Sequence, residues 1–244
     1  MKYIKRLVLT MIPVVFLMGC SASNMKTKNV SKEAIERNTM TKVQSDVNVI
    51  MNKSDDYVLQ NMGSPYSTIY SLKIDNINDF KDVNKIKGGQ VDDVKVLSTG
   101  LLYPKYTSDY KLDGSAIYIG LKNEKVNQVE TCDFKNFDVS QLMDEKSNIS
   151  ISSYTNYDNL NMDNIDRDKL NNYIGKEKSS LSDIIKHKKC KYSIYMDLDD
   201  PINIDIYDVK DSDFLMIAYK DDIIIDIGEQ DCTNILSSIQ ENID

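Results

Sequence analysis

Two stretches of this chain lie over one another without a gap: Ile117-Tyr118-Ile119-Gly120-Leu121-Lys122 and Leu215-Met216-Ile217-Ala218-Tyr219-Lys220. Each is followed by a two-residue polar turn, Asn123-Glu124 or Asp221-Asp222, and then by a second β-forming run. A β-rich run, a tight turn and a second run describe a hairpin, and two matching hairpins restrict the chain to folds built on a repeated unit. In the first half, Ile69 to Ile74, Val94 to Tyr103, Ala116 to Lys122 and Val126 to Phe134 read as strands. In the second half the strands are Tyr192 to Leu198, Ile202 to Val209, Phe214 to Lys220 and Ile223 to Ile227.

A short amphipathic helix is expected ahead of each set. Asp56 to Met62 precedes Gly63, and Asp168 to Ile174 precedes Gly175; each has an acidic start, apolar residues at helical spacing and a terminal glycine suited to a left-handed cap. Ser54 is the expected N-cap of the first. This pairing predicts that Gly63 and Gly175 are equivalent and share positive φ. Thr233 to Ile243 reads as a closing helix.

The chain opens with a basic leader, Lys2, Lys5 and Arg6, and an apolar run from Leu7 to Met18. That run is too short to span a bilayer and has the length of a secretory h-region. Leu17-Met18-Gly19-Cys20 resembles the lipobox of bacterial lipoproteins, a small residue directly before a cysteine. The resemblance implies diacylation of the Cys20 thiol and cleavage after Gly19, which makes Cys20 the lipidation site and leaves the body on the extracytoplasmic face of the cell membrane. The composition, rich in Asn, Ile, Lys, Asp and Ser, suggests AT-rich coding and the outer face of a Gram-positive membrane; a Gram-negative periplasmic address stays open.

Loss of residues 1–19 would leave 27 Lys and Arg against 38 Asp and Glu, an acidic body that nucleic acid and anionic head groups repel. Attachment then rests on the lipid, at about 0.8 kcal/mol per buried methylene. Residues 21–41 have few apolar side chains and no period, as expected of a flexible tether with a span of roughly 25 Å.

The helix-and-turn signature Val58, Leu59, Met62, Gly63 and Pro65, with the hairpin residues Ile117, Ile119, Lys122, Val126 and Val129, resembles the repeat of β-lactamase inhibitor protein and of the small lipoprotein of the outer-membrane barrel-assembly machinery. Glu177 stands where the second copy would carry the proline. The resemblance implies a non-catalytic lipoprotein that presents a concave sheet to a protein partner; no inhibitory residue of that family has a counterpart here.

Chemistry-bearing constellations are few. The single histidine, His187, has no Gly-x-Ser-x-Gly elbow or cysteine-centred signature to serve, and His187 with Cys190 supplies two zinc ligands where a structural site needs four. Lys186, Lys188, Lys189 and Lys191 make that spot unfavourable for a cation. Asp197, Asp199, Asp200, Asp205, Asp208, Asp211 and Asp213 are candidate calcium oxygens, but no twelve-residue loop with a central glycine and a terminal glutamate frames them, and solvated turns are the simpler reading. Cys132, Cys190 and Cys232 allow one disulfide in three ways or serve as small buried residues. Tyr66, Tyr70, Tyr103, Tyr106, Tyr110, Tyr154 and Tyr157 suit both strands and protein interfaces.

The fold class expected is therefore α+β: two divergent helix-plus-antiparallel-sheet repeats after a lipoprotein signal and tether. The division is signal peptide 1–19, lipidated Cys20 and tether 20–44, first repeat 45–145 and second repeat 146–244. The function expected is a membrane-anchored protein-binding or scaffold module of the cell envelope, not an enzyme, with no cofactor, no metal and no nucleic acid. Its partners are the membrane, through Cys20, and an envelope protein. The alternatives are a solute- or metal-binding receptor lipoprotein and a cell-wall hydrolase.

Overall fold

The computed structural model describes residues 43, 46–81, 94–107, 109, 111–161, 166–209 and 214–229. The expected signal, Cys20, the tether as far as residue 42, and the helix over 233–243 lie outside the described residues. Among the described residues nine strands form one antiparallel sheet, so the architecture is mostly β with few helices. In chain order they are β1 (Ser67–Lys73), β2 (Lys95–Tyr106), β3 (Leu112–Lys122), β4 (Lys125–Asp133), β5 (Ile149–Tyr154), β6 (Tyr192–Met196), β7 (Ile202–Asp208), β8 (Phe214–Lys220) and β9 (Ile223–Glu229). Their order across the sheet is β4-β3-β2-β1-β5-β6-β7-β8-β9. All eight strands expected from sequence are present within a few residues, and β5 is an addition that joins the two halves.

Helix α1 (Asp55–Met62) begins where Ser54 accepts a hydrogen bond from the Tyr57 N–H at 3.2 Å. It ends at Gly63, whose φ of 79° and ψ of −167° suit glycine alone. The Gly63 N–H donates to Leu59 O at 3.0 Å, and the Tyr103 hydroxyl donates to Gly63 O at 2.9 Å, so the helix end is tied to β2. Opposite the second half, Arg167–Tyr173 and Lys178–Leu181 form 3-10 turns, and α2 (Ser182–Ile185) follows.

Strand pairing assigns every side chain to one of two faces, because directly paired residues share a face and neighbours alternate. On the front, α1 and Ile50 pack through Val58 and Met62 on Leu101, Ile117, Ile119, Leu121 and Val126. Val43, expected at the end of the tether, is 1% exposed in this cluster. Also on the front, Ile77 and Phe80 from the β1–β2 connection cover Ile149, Ile151, Ile194, Ile204 and Met216. On the back, Leu170 and Leu181 cover Leu215, Ile217, Ile224 and Ile227. Phe137, Val139 and Leu142 from the β4–β5 connection cover Ile69, Leu102 and Tyr118. Each buried Ile, Leu or Val contributes about 1.5–3 kcal/mol, so a sheet covered on both faces accounts for the core without a large helical layer. The β4–β5 connection is pinned where Asn148, buried, accepts from the Ile74 N–H at 2.9 Å and donates to Ile74 O at 2.7 Å.

The helical segments of the two halves therefore lie on opposite faces. Strands β1 and β6 both run antiparallel to β5, hence parallel to each other, and the halves extend outward from β5 in opposite directions. This is the arrangement of a half-turn about an axis along β5. Fine details match. Register shifts fall between Gly120 and Leu121 and between Ala218 and Tyr219, 98 residues apart. Val126 pairs with Asn52 and Lys53 at 2.9 Å, and Ile224 pairs with Gly175 and Lys176 at 2.8 Å. Asp55 donates to Glu124 O at 3.1 Å, and Lys178 donates to Asp222 O at 2.7 Å.

These bonds correct the expected alignment of the glycines. Gly63 and Gly175 both have positive φ, 79° and 83°, and each follows a short helical segment. They are nevertheless not equivalents: Gly175 corresponds to Asn52, whose φ is 61°, ahead of the second helical segment. The left-handed residue after that segment in the second half is His187, with φ 58°. Matching Gly63 with Gly175 sets the second helical segment of the first half against the first of the second half.

Candidate functional site

The acidic candidates do not converge. Asp199 pairs with Lys81 at 2.8 Å, Asp200 with Lys220 at 2.6 Å and Asp208 with Lys191 at 2.8 Å, each at a different place. Asp197 is exposed, and Asp211 and Asp213 lie outside the described residues. Among the described residues no group of three or more His, Cys, Asp or Glu is arranged to hold a metal ion. His187 is exposed, whereas Cys190, three residues on, turns inward. Burial and the nearby Asp205 carboxylate push the Cys190 thiol up to about 12, so it stays protonated and unreactive. Cys132 donates to Ala116 O at 3.7 Å; both cysteines are free, and Cys232 lies outside the described residues.

The back face carries a polar cluster that the sequence reading missed. Asp205, 5% exposed in the middle of β7, pairs with Lys178 and accepts from the Ser193 hydroxyl at 2.9 Å. The Lys178 ammonium lies 4.1 Å from the centroid of the Tyr219 ring. Burial works to lower the Lys178 pKa, but the Asp205 carboxylate and Tyr219 outweigh it, so the amine is held charged above its usual range. Tyr219 is pushed up to about 12, first by burial and then by Asp205. At the matching positions of the first half stand Leu101, Asp55 and Leu121, so this ion pair has no counterpart there. The available signal was slight: Ile202-Asn203-Ile204-Asp205-Ile206 puts Asp205 inside a strand and not at a turn, but its alternation is that of a solvent-facing residue.

Beside this cluster the tyrosines gather. Tyr66, half-buried ahead of β1, meets Phe134 edge-on at 5.0 Å and Tyr154 at 5.6 Å. The Lys189 ammonium lies 5.4 Å from the Tyr66 centroid. Burial, Cys190 and Tyr106 together raise the Tyr66 pKa; Tyr106, at the end of β2, is 59% exposed. Of the remaining tyrosines expected to suit an interface, Tyr70 packs on the front-face core and Tyr103 is buried against Gly63. Tyr157, 40% exposed, lies 4.9 Å from the Lys191 ammonium, and Tyr110 is outside the described residues.

An open depression near the β8–β9 turn is lined by, among others, Glu177, Lys178, Ser182, Lys186, Asp221 and Asp222. Three carboxylates, Glu177, Asp221 and Asp222, and two amines, Lys178 and Lys186, line it together, so it favours no ion of one charge. The Tyr66 cluster combines aromatic area with a positive neighbour and is the better recognition surface. No protein-family model, no curated protein and no solved structure matches this chain.

Proposed function

We propose that this protein is a lipoprotein anchored through Cys20 to the extracytoplasmic face of the membrane, and that it acts as a protein-binding module of the cell envelope. In this reading its body is two divergent copies of one helix-and-sheet unit, like the repeats of β-lactamase inhibitor protein. The matched register shifts and matched backbone bonds at the two hairpins support a duplication. The observation that carries the binding role is the Tyr66 cluster. A ring already held edge-on by Phe134 and Tyr154 loses little freedom on binding, so its contact area converts efficiently into affinity.

The anchor is tested with Cys20→Ala. The variant is expected in the soluble fraction with an unchanged circular dichroism spectrum, and membrane retention after a high-salt wash refutes the anchor. The binding role is tested by placing a photocrosslinking residue at Tyr106 and recovering a crosslinked envelope protein from the native host. Measured hydrolysis of peptidoglycan fragments, lost on mutating a carboxylate of the protein, would favour the cell-wall hydrolase instead.

A further inference from the structure

We infer that the segment Lys186–Lys189, with Tyr66 and Tyr106, is a docking site for an acidic, extended segment of a partner protein. The inference rests on the binding-module reading and names the chemistry of its partner. The chain as a whole has 38 acidic against 30 basic residues, but between Lys176 and Lys191 six lysines face two acids, Glu177 and Asp183. Two of those lysines are consumed internally, Lys178 by Asp205 and Lys191 by Asp208. Lys176, Lys186, Lys188 and Lys189 are exposed, and the last three form one run with His187. In space Asp158 binds the Lys189 backbone, and Lys186 shares the depression at the β8–β9 turn with Glu177, Asp221 and Asp222. The positive excess of the loop therefore rests on Lys188 and Lys189, and charge complementarity at that pair selects an acidic ligand.

That loop is built rather than loose. Lys188 donates its N–H to Ile185 O at 2.9 Å, and Lys189 exchanges two bonds with Asp158, at 2.9 Å from its N–H to the carboxylate and 3.1 Å from the Asp158 N–H to its carbonyl. His187 sits in the left-handed region at φ 58°, which turns the chain so that Lys189 reaches the Tyr66 ring. Carboxylates on a ligand would meet Lys188 and Lys189 while an apolar or aromatic side chain lies on Tyr66 and Tyr106. An anionic bilayer fits less well. A flat surface would also face the rest of an acidic body, whereas one extended segment meets only the charges within a Debye length of about 8 Å.

The test uses the full chain in a neutral detergent and a fluorescein-labelled synthetic peptide of alternating Glu and Tyr, read by fluorescence anisotropy. Saturable binding is expected, weakened at least about tenfold in K188E/K189E and by added salt, weakened in Tyr66→Ala, and unchanged in the distant K122E/K125E control. Equal binding by all variants, or none by the parent protein, overturns the inference. So does binding to phosphatidylglycerol vesicles at the same lysines with no competition from the peptide. If the host crosslink at Tyr106 survives K188E/K189E undiminished, this inference fails and the binding module stands; if the unmodified surface captures no partner, the module itself falls.

Discussion

The Tyr118 ring lies across Gly100: a Cβ added at Gly100 would sit 2.6 Å from the Tyr118 hydroxyl oxygen and 2.7 Å from its Cζ. Gly100 pairs with Gly120 across β2 and β3, so the ring fills a trough in the back face left by two absent side chains. In the second half the matching pair is Ile204 and Ala218, and Met216 takes the place of Tyr118. A flexible thioether there coexists with a full side chain at Ile204; a rigid ring at Tyr118 requires glycine.

Gly100→Ala is accordingly expected to destabilise by about 1–3 kcal/mol through overpacking. Adding Tyr118→Leu should cost less than the sum of the two single changes, since they act through one contact. Urea midpoints of the three variants check this. Additivity would show that Tyr118 moves aside freely.

Both hairpin turns hold non-glycine residues in left-handed conformations, Asn123 and Glu124 at φ 51° and 61° and Asp221 and Asp222 at 45° and 64°. This is the type I′ geometry that suits the strand twist, in which the second position prefers glycine. Glu124→Gly and Asp222→Gly should each stabilise by about 0.5–1 kcal/mol, the relief of backbone strain outweighing the entropy added to the unfolded chain. Thermal melts of each variant give the sign directly.

Removing either partner of the Lys178–Asp205 pair leaves a charge in the back-face core. Lys178→Met or Asp205→Leu alone is expected to cost about 3–5 kcal/mol, less for Asp205→Leu because the Lys178 side chain is 25% exposed and can reach water. The double replacement, which puts leucine where Leu101 stands in the other half, should recover most of the loss. A double-mutant cycle in urea measures the coupling. No recovery in the double variant would mean that the site cannot close around apolar side chains.

Stability should fall at alkaline pH. Cys190 rises from 9.0 to about 12, Tyr118 from 10.0 to about 12 and Tyr219 from 10.0 to about 12, burial being the first cause of each. These groups are neutral when protonated, and the folded state binds their protons more tightly than the unfolded chain. The stabilisation is thus complete below pH 9 and lost as pH rises from about 9 to about 12. Lys178 acts in the same direction, since its raised pKa keeps the ion pair intact until the amine deprotonates. Urea unfolding at stepped pH should show a declining midpoint above pH 9, and tyrosine absorbance should show a late-ionising class.

The positions of eight strands, the two tight turns, the Ser54 cap and the positive φ of Gly63 and Gly175 were all determined locally. Strand-forming runs, turn residues and caps act over fewer than ten residues, so composition along the chain is enough to reveal them. Strand β5 escaped because Ile149-Ser150-Ile151-Ser152-Ser153-Tyr154 places serines on its back face, a pattern of an exposed strand. Ser150 is nonetheless 0% exposed. Only the tertiary structure put β5 at the centre of the sheet, between β1 and β6. The same holds for the true equivalence of Gly175 with Asn52, for the ion pair between residues 27 apart, and for Tyr66 meeting Phe134, Tyr154 and Lys189. Each depends on which strands become neighbours and which face they turn to a covering segment. That choice is made by burial summed over the whole sheet, and no local run of residues carries it.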